Sequence, residues 1–237
     1  MTRGEAFAGG GTALPHGHGD VAPGAGADPV REVLDLFDRW GDGRYGEQVD
    51  QRSHARQCAS WARADGAGDA LVAAALLHDI GHLLSGPDPG PWSDPSTDDH
   101  HERLGSRWLA PRFGTDVARP VALHVLAKRY RCAVDPDYRG ALSPTSTASL
   151  EAQGGSLGAA AAARFADRAG FVEAVALREW DERAKDPSAV PPGIETFVPL
   201  LRRLAGRGTT PPLPAGDLRS ARLPRLRVRG ERPHLDG

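Results

Sequence analysis

The segment Leu76–Leu84, LLHDIGHLL, sets two imidazoles and a carboxylate in an apolar run that begins with LVAAA at Leu71. A helix this apolar belongs in a core, where an unpaired charge is strongly unfavourable. Either these polar groups pair with one another, or a positive charge sits between them. The other histidines between the chain's two tails are His54, His100, His101 and His124, each in or at the start of a predicted helix. His124, in VALHVLAK, has the same apolar surroundings as His78 and His82. A single buried histidine is most often a core residue bonded to backbone. Several on separate helices, beside the dipeptide His78-Asp79, point instead to metal, because neutral imidazole is the commonest metal ligand and a carboxylate can bridge two cations.

A second acid is needed to balance such a site, and LREWDERAKD offers Asp181, with Leu177 and Trp180 marking the inward side of its helix. The ligand order is then His54, His78-Asp79, His101, His124, Asp181. That set fills two octahedral metal centres only in part and leaves positions for water, dioxygen or substrate; ligand identity alone does not say which metal. A cationic layer accompanies it. Lys128 lies one helical turn after His124, and Arg178 lies three residues before Asp181, so each shares a face with a candidate ligand. Such a pair suits an anionic tetrahedral group, which arginine grips through two oxygens and lysine meets as a point charge. His82, four residues after His78, can donate to the same group, and Ser146, Ser149 and Gln153 supply neutral donors. The plainer alternative for Lys128 and Arg178 is a surface salt bridge, for instance Arg178 with Glu182.

The elements that must position these groups read as helices. Asp28 before Pro29 fits a cap followed by proline at the first helical position, and apolar residues at Val30, Val33, Leu34 and Phe37 continue the pattern. A second helix carries VDQRSHARQCASWARA, with His54, Cys58 and Trp61 on one face. Asp69 is expected to cap a third, ALVAAALLHDIGHLL, running unbroken through Leu84. HHERLGSRWLAPRF is a fourth, and DVARPVALHVLAKRYRCA a fifth, bent or started at Pro120. The stretch VDPDYRGALSPTSTASLEAQGG reads as loop, and AAAARFADRAGFVEAVALREWDERAKD supplies one or two further helices. No alternating strand pattern and no internal repeat stands out. The expected organisation is a single all-α helical bundle over residues 29–205, between a Gly/Ala/Pro-rich tail at 1–28 and a Pro/Arg-rich tail at 206–237, both read as disordered. His16 and His18, in the first tail, are read as incidental.

Composition narrows the function class. Hydrophobic content of 40% with 25% charged residues is ordinary for a soluble globular protein. A net charge of -2 provides no general field for nucleic acid or an anionic membrane, so neither is expected as a partner. Cys58 and Cys132 are too few for a disulfide framework or a thiolate zinc site, no apolar run is long enough to span a bilayer, and a signal core is absent; a cytoplasmic location is expected. The oligomeric state is not legible.

The ligand order resembles that of the HD-domain superfamily. More closely, the chain resembles the HD-domain mixed-valent diiron oxygenases that cleave α-hydroxyphosphonates, relatives of myo-inositol oxygenase. The matching stretches, YGEQVDQRSH, AALLHDIGHLL, HERLG, HVLAKRY, DPDY, LSPTSTASLEAQGG and LREWDERAK, cover residues 44–186. The resemblance implies two irons, Fe(II)/Fe(III), with His54, His78, Asp79 and Asp181 on one and Asp79, His101 and His124 on the other, Asp79 bridging. His101 rather than His100 takes the ligand position because it precedes Glu102 and lies four residues before Gly105, as in the family's HExxG; His100 is expected to cap the helix or face solvent. It further implies phosphonate binding by His82, Lys128, Ser146 and Arg178, and a guard over the iron from Tyr45 and Glu47. Glu47 stands seven residues before His54, as in the family, but the family's tyrosine position holds Arg44, with Tyr45 one residue later. A carboxylate there suits an ammonium and an aromatic a methylated one, and both remain open. The implied reaction uses dioxygen as co-substrate to cleave the C–P bond of a 1-hydroxy-2-aminoethylphosphonate or an N-methylated analogue, releasing phosphate and glycine or a methylated glycine. The alternatives are a metal-dependent phosphohydrolase of a nucleotide or small phosphate ester, and a metal-binding sensor or scaffold.

Overall fold

A computed structural model describes residues 28–44, 48–86 and 96–205. Both expected tails, apart from Asp28, and the Tyr45 and Glu47 positions lie outside the described residues. Among those described there are eleven α-helices, one short 3-10 turn and no strand, so the all-α expectation holds.

Helix α1 spans Pro29–Trp40; Asp28 caps it by accepting from the Val30 amide at 3.0 Å, and Val30, Val33 and Phe37 are buried. Helix α2, Gln51–Ala64, is capped by Asp50, whose carboxylate accepts from the Ser53 amide at 2.8 Å. It buries His54 and Cys58, but Trp61 is 39% exposed and lies beneath the Arg183 guanidinium. The expected long third helix is two. Helix α3, Asp69–Leu77, is capped by Gly68, with Asp69 as its first residue, and α4 spans Ile80–Ser85. The break falls on His78-Asp79, where Asp79 leaves helical geometry at φ -98° and ψ 12°. A short acid competes poorly for helical backbone and is at home in such a turn.

Helix α5, His101–Phe113, and α6, Thr115–Val134, are joined at Gly114, whose φ of 89° turns the chain back. Helix α6 starts five residues before Pro120 and carries the proline in its second turn, where one missing amide bond is tolerated. The stretch read as loop holds two further helices, α7 over Pro136–Gly140 and α8 over Pro144–Ala152, each with a side-chain cap, Asp135 or Ser143, before a proline. Helices α9, Ala159–Ala166, and α10, Phe171–Arg183, follow. The 3-10 turn Ile194–Phe197 then leads into α11, Val198–Ala205, which the sequence pattern does not assign.

Helix α6 runs against α3, α5 and α10, while α2 packs on α3 and α10. The main core draws Phe37, Leu76, Leu77, Ile80, Leu109, Phe113, Val121, Leu177, Phe197 and Leu201 from both ends of the chain into one cluster. Each large side chain buried there contributes roughly 1.5–3 kcal/mol. Helices α4 and α5 cross closely: a Cβ on Gly81 would lie 2.1 Å from the His101 carbonyl oxygen. Among the described residues no helix is long and apolar enough to cross a membrane. Both cysteines are free and buried.

Candidate metal centre

Five helical elements deliver polar groups into the apolar interior. They are His54 from α2, His78 and Asp79 from the α3–α4 break, His101 from the first residue of α5, His124 from mid-α6 and Asp181 from late α10. All but Asp79 are at most 8% exposed. Their orientations are fixed from behind. Nδ1 of His54, His78 and His124 faces the carbonyl oxygens of Ala184, Ala75 and Val121 at 2.9, 2.9 and 2.7 Å. A carbonyl can only accept, so each Nδ1 carries the hydrogen and each neutral ring presents a bare Nε2. His101 Nδ1 is held by Asp99 Oδ1 at 2.8 Å.

The Nε2 atoms meet in pairs: His54 and His78 at 3.2 Å, His101 and His124 at 3.1 Å. Two bare lone pairs at that separation repel unless a positive charge lies between them. Asp79 addresses both pairs. Its Oδ2 is 3.4 Å from His78 Nε2 and 3.8 Å from His54 Nε2, while its Oδ1 is 3.5 Å from His101 Nε2 and 3.8 Å from His124 Nε2. Asp181 Oδ1 closes on the first pair, 3.3 Å from His54 Nε2 and 3.9 Å from His78 Nε2. The geometry forms two ligand groups that share Asp79, one with His54 and His78 and the other with His101 and His124. The donor set fits two cations bridged by one carboxylate.

Electrostatics agree with the geometry. Burial opposes charge on His54, but the adjacent Asp181 carboxylate and then the Asp79 charge raise its pKa. Burial likewise opposes charge on His101, and the Asp99 hydrogen bond with the Asp79 and Asp99 charges raises it. Their partners go the other way: burial lowers His78, and burial with the neighbouring His101 and His78 holds His124 down at about 3. In each pair one imidazole is thus pushed up and the other down. Asp79 and Asp181 stay ionised despite burial, Asp79 because His78, His82, His101 and His54 surround it and Asp181 chiefly because of Arg178.

The cationic layer lies beside these groups. Lys128 is 5% exposed, and its ammonium donates to Ser149 Oγ at 2.9 Å. Burial, then the nearby Arg178 charge, lowers it to about 7. Ser146 is buried and accepts from Lys185 at 2.6 Å. Gln153 ends α8 with its Oε1 buried and without a hydrogen-bond partner. Arg178 is buried rather than on the surface; it donates to Asp181, Glu182 and the Tyr138 hydroxyl. It is thus partnered by Glu182, as the plainer alternative has it, and it also steadies Asp181. His82 stacks on His101 with ring centroids 4.0 Å apart. His100 occupies the cap position of α5, half-exposed, without a side-chain cap bond, and pairs with Asp98 at 3.1 Å.

Sequence reasoning misses Asp99, Lys185 and Tyr138. A signal exists for Asp99: an acid two residues before a helix start is a capping pattern, and its Oδ1 accepts from the His101 amide at 3.2 Å. Lys185 falls one turn after Asp181 and Glu182.

No family signature matches the chain. Over 168 residues it is 39% identical to a hydroxymethylphosphonate dioxygenase of Gimesia maris, a match covering 71% of this chain and 84% of the relative. Over 180 residues it is 36% identical to a 1-hydroxy-2-(trimethylamino)ethyl phosphonate dioxygenase (glycine-betaine-forming) of Leisingera caerulea, covering 75% of this chain and 91% of that one.

Proposed function

Since this chain belongs to the HD-domain phosphonate dioxygenases, we propose that it cleaves the C–P bond of a 1-hydroxyphosphonate with dioxygen, at two irons held by His54, His78, Asp79, His101, His124 and Asp181. The observation that supports the ligand set best is the two pairs of facing Nε2 atoms, at 3.2 and 3.1 Å, with one Asp79 oxygen turned to each pair. Both relatives are named for a hydroxyl on the carbon bonded to phosphorus, and that shared feature defines the substrate class. The finer reading is 1-hydroxy-2-aminoethylphosphonate or an N-methylated analogue.

The overall conversion takes R–CH(OH)–PO3(2−) and O2 to R–COOH and HPO4(2−). The C–P and C–H bonds break, the carbon is oxidised to a carboxylate and dioxygen is reduced. A mixed-valent iron pair, when bound, supplies dioxygen activation and one-electron chemistry. The protein's part is placement. Lys128, a buried cation hydrogen-bonded to Ser149, meets the phosphonate charge, with Ser146 and His82 completing the hydrogen bonds. Arg178, held by Asp181 and Glu182, adds positive potential behind the anion. Gln153 Oε1, a buried acceptor without a donor, suits an N–H group at the substrate's far end. Fixing the substrate by its anion holds one C–H bond toward the metals, which is where proximity lowers the barrier.

The deciding experiment loads purified protein anaerobically with ferrous ion. It then measures iron per chain and the EPR signal of the half-reduced state, and follows dioxygen uptake and phosphate release with hydroxymethyl-, 1-hydroxy-2-aminoethyl- and N-methylated phosphonates. Equal uptake of dioxygen and release of phosphate with one of them is expected. Phosphate release from nucleotides or phosphate esters without dioxygen would overturn the assignment.

A further inference from the structure

We propose that Asp99 is a positioning residue that locks His82 and His101 into one unit, so that the imidazole meeting the substrate's anion and an imidazole meeting the metal are oriented by the same carboxylate; this rests on the reading above. Asp99 Oδ1 is hydrogen-bonded to His101 Nδ1 at 2.8 Å, and its Oδ2 makes an ion-pair contact with His82 Nδ1 at 2.8 Å. The two rings are stacked nearly parallel at 21°. His101 is the exception among the four candidate ligand imidazoles. The others are held from behind by backbone carbonyls, whereas His101 is held by a charged side chain. A carboxylate at that position makes the ring a stronger donor to a cation and fixes its plane.

The local backbone explains how one acid serves both rings. His100 has a φ of 53°, the left-handed conformation that is uncommon for a residue with a side chain. The turn sends the Asp98–His100 pair outward, with the His100 side chain 53% exposed. Asp99, only 13% exposed, and His101 go inward. Helix α4 brings His82 to the same place because Gly81 lets it approach the His101 backbone. Shifting Asp99 therefore shifts both rings together, and a change in anion contact at His82 is transmitted to His101 through a rigid carboxylate rather than through a flexible loop.

The test compares the full chain with Asp99→Asn, Asp99→Ala and the control Asp98→Asn, whose carboxylate faces solvent-side His100. Ferrous-ion stoichiometry and affinity, affinity for inorganic phosphate, and Tm are read for each. Positioning predicts that Asp99→Asn folds normally and keeps one iron. It holds the other about 10–100-fold more weakly and binds phosphate more weakly in parallel, while Asp98→Asn matches the parent. Asp99→Ala shows the same selective loss; if it does not fold, Asp99→Asn decides. Two irons and phosphate bound by Asp99→Asn as tightly as by the parent would overturn the proposal, as would equal weakening of both irons with a lowered Tm, the mark of a merely structural acid. None of these readouts needs turnover. Parent protein that leaves 1-hydroxyphosphonates intact would overturn the proposed function, yet selective loss of one metal in Asp99→Asn would still establish the link.

Discussion

At the scale of single residues, the site combines groups that are costly to bury with reasons for burying them. Asp79 faces four imidazole nitrogens, and among the described residues it alone belongs to both ligand groups. Asp79→Ala is expected to abolish metal loading while the helices persist, checked by iron content against circular dichroism. Lys128 is the opposite case, a cation buried beside other cations and lowered to about 7. The sign of its pH dependence follows. In the free protein the ammonium is intact below pH 7 and is lost above it, whereas a bound anion favours the protonated form. Affinity for an anion is therefore full below pH 7 and falls above it by up to about tenfold per pH unit. Sulfate keeps its charge over this range, so the part of its pH slope between pH 6 and 9 that Lys128→Met removes measures the lysine. Lys128→Met should remove that slope and leave iron in place. It should also raise Tm by about 2–4 °C for each kcal/mol of desolvation cost relieved, because the folded state no longer keeps a lysine deprotonated that the unfolded chain would protonate between pH 7 and 10. A lysine whose removal stabilises the fold is kept for binding.

At the scale of elements, the decisive feature is the interruption of one helix. The chain leaves helical geometry at Asp79, between His78 and α4, and the close α4–α5 crossing at Gly81 brings the His101 backbone against α4. Gly81→Ala would force a Cβ to 2.1 Å from a backbone oxygen. Since backbone must move to relieve that contact, roughly 1–3 kcal/mol of stability should be lost, together with the His101 half of the proposed metal site, read as Tm and iron per chain. Gly140→Ala, with open space around its Cβ, should change neither. The candidate ligand types and their order can be read from the sequence because several imidazoles and a carboxylate are costly to bury in apolar runs unless a cation joins them. The break at His78-Asp79 cannot be, because apolar periodicity continues through it and masks the one short acid that favours a turn there. Helices α7 and α8 read as loop for a related reason. Their short apolar faces give no period, although Asp135-Pro136 and Ser143-Pro144 repeat the cap-and-proline signal that locates α1 at Asp28-Pro29. Asp99 escapes a linear reading because one of its partners is distant in sequence and the other is hidden by the turn at His100.

At the scale of the whole molecule, the candidate ligands span residues 54 to 181 and come from five separate elements, so the donor set exists only when those elements are assembled. Without a cation, that assembly confines opposed lone pairs and buried carboxylates at the centre of the core. Each of these favours loosening, and Asp79 and Asp181 cannot protonate at neutral pH to relieve it. An ion that binds the folded chain and not the unfolded one adds RT ln(1 + [L]/Kd), about 2.7 kcal/mol at a hundredfold excess over Kd. For a domain of this size that corresponds to a rise of roughly 5–10 °C in Tm. Stripping the protein with a chelator should therefore lower Tm by that order, and restoring ferrous ion anaerobically should raise it in proportion to the logarithm of its concentration. Asp79→Ala should show neither response. A chelator-treated protein that melts at the same temperature as the reconstituted one would mean that these groups hold no ion, and the paired imidazoles would then need a proton, not a metal, between them.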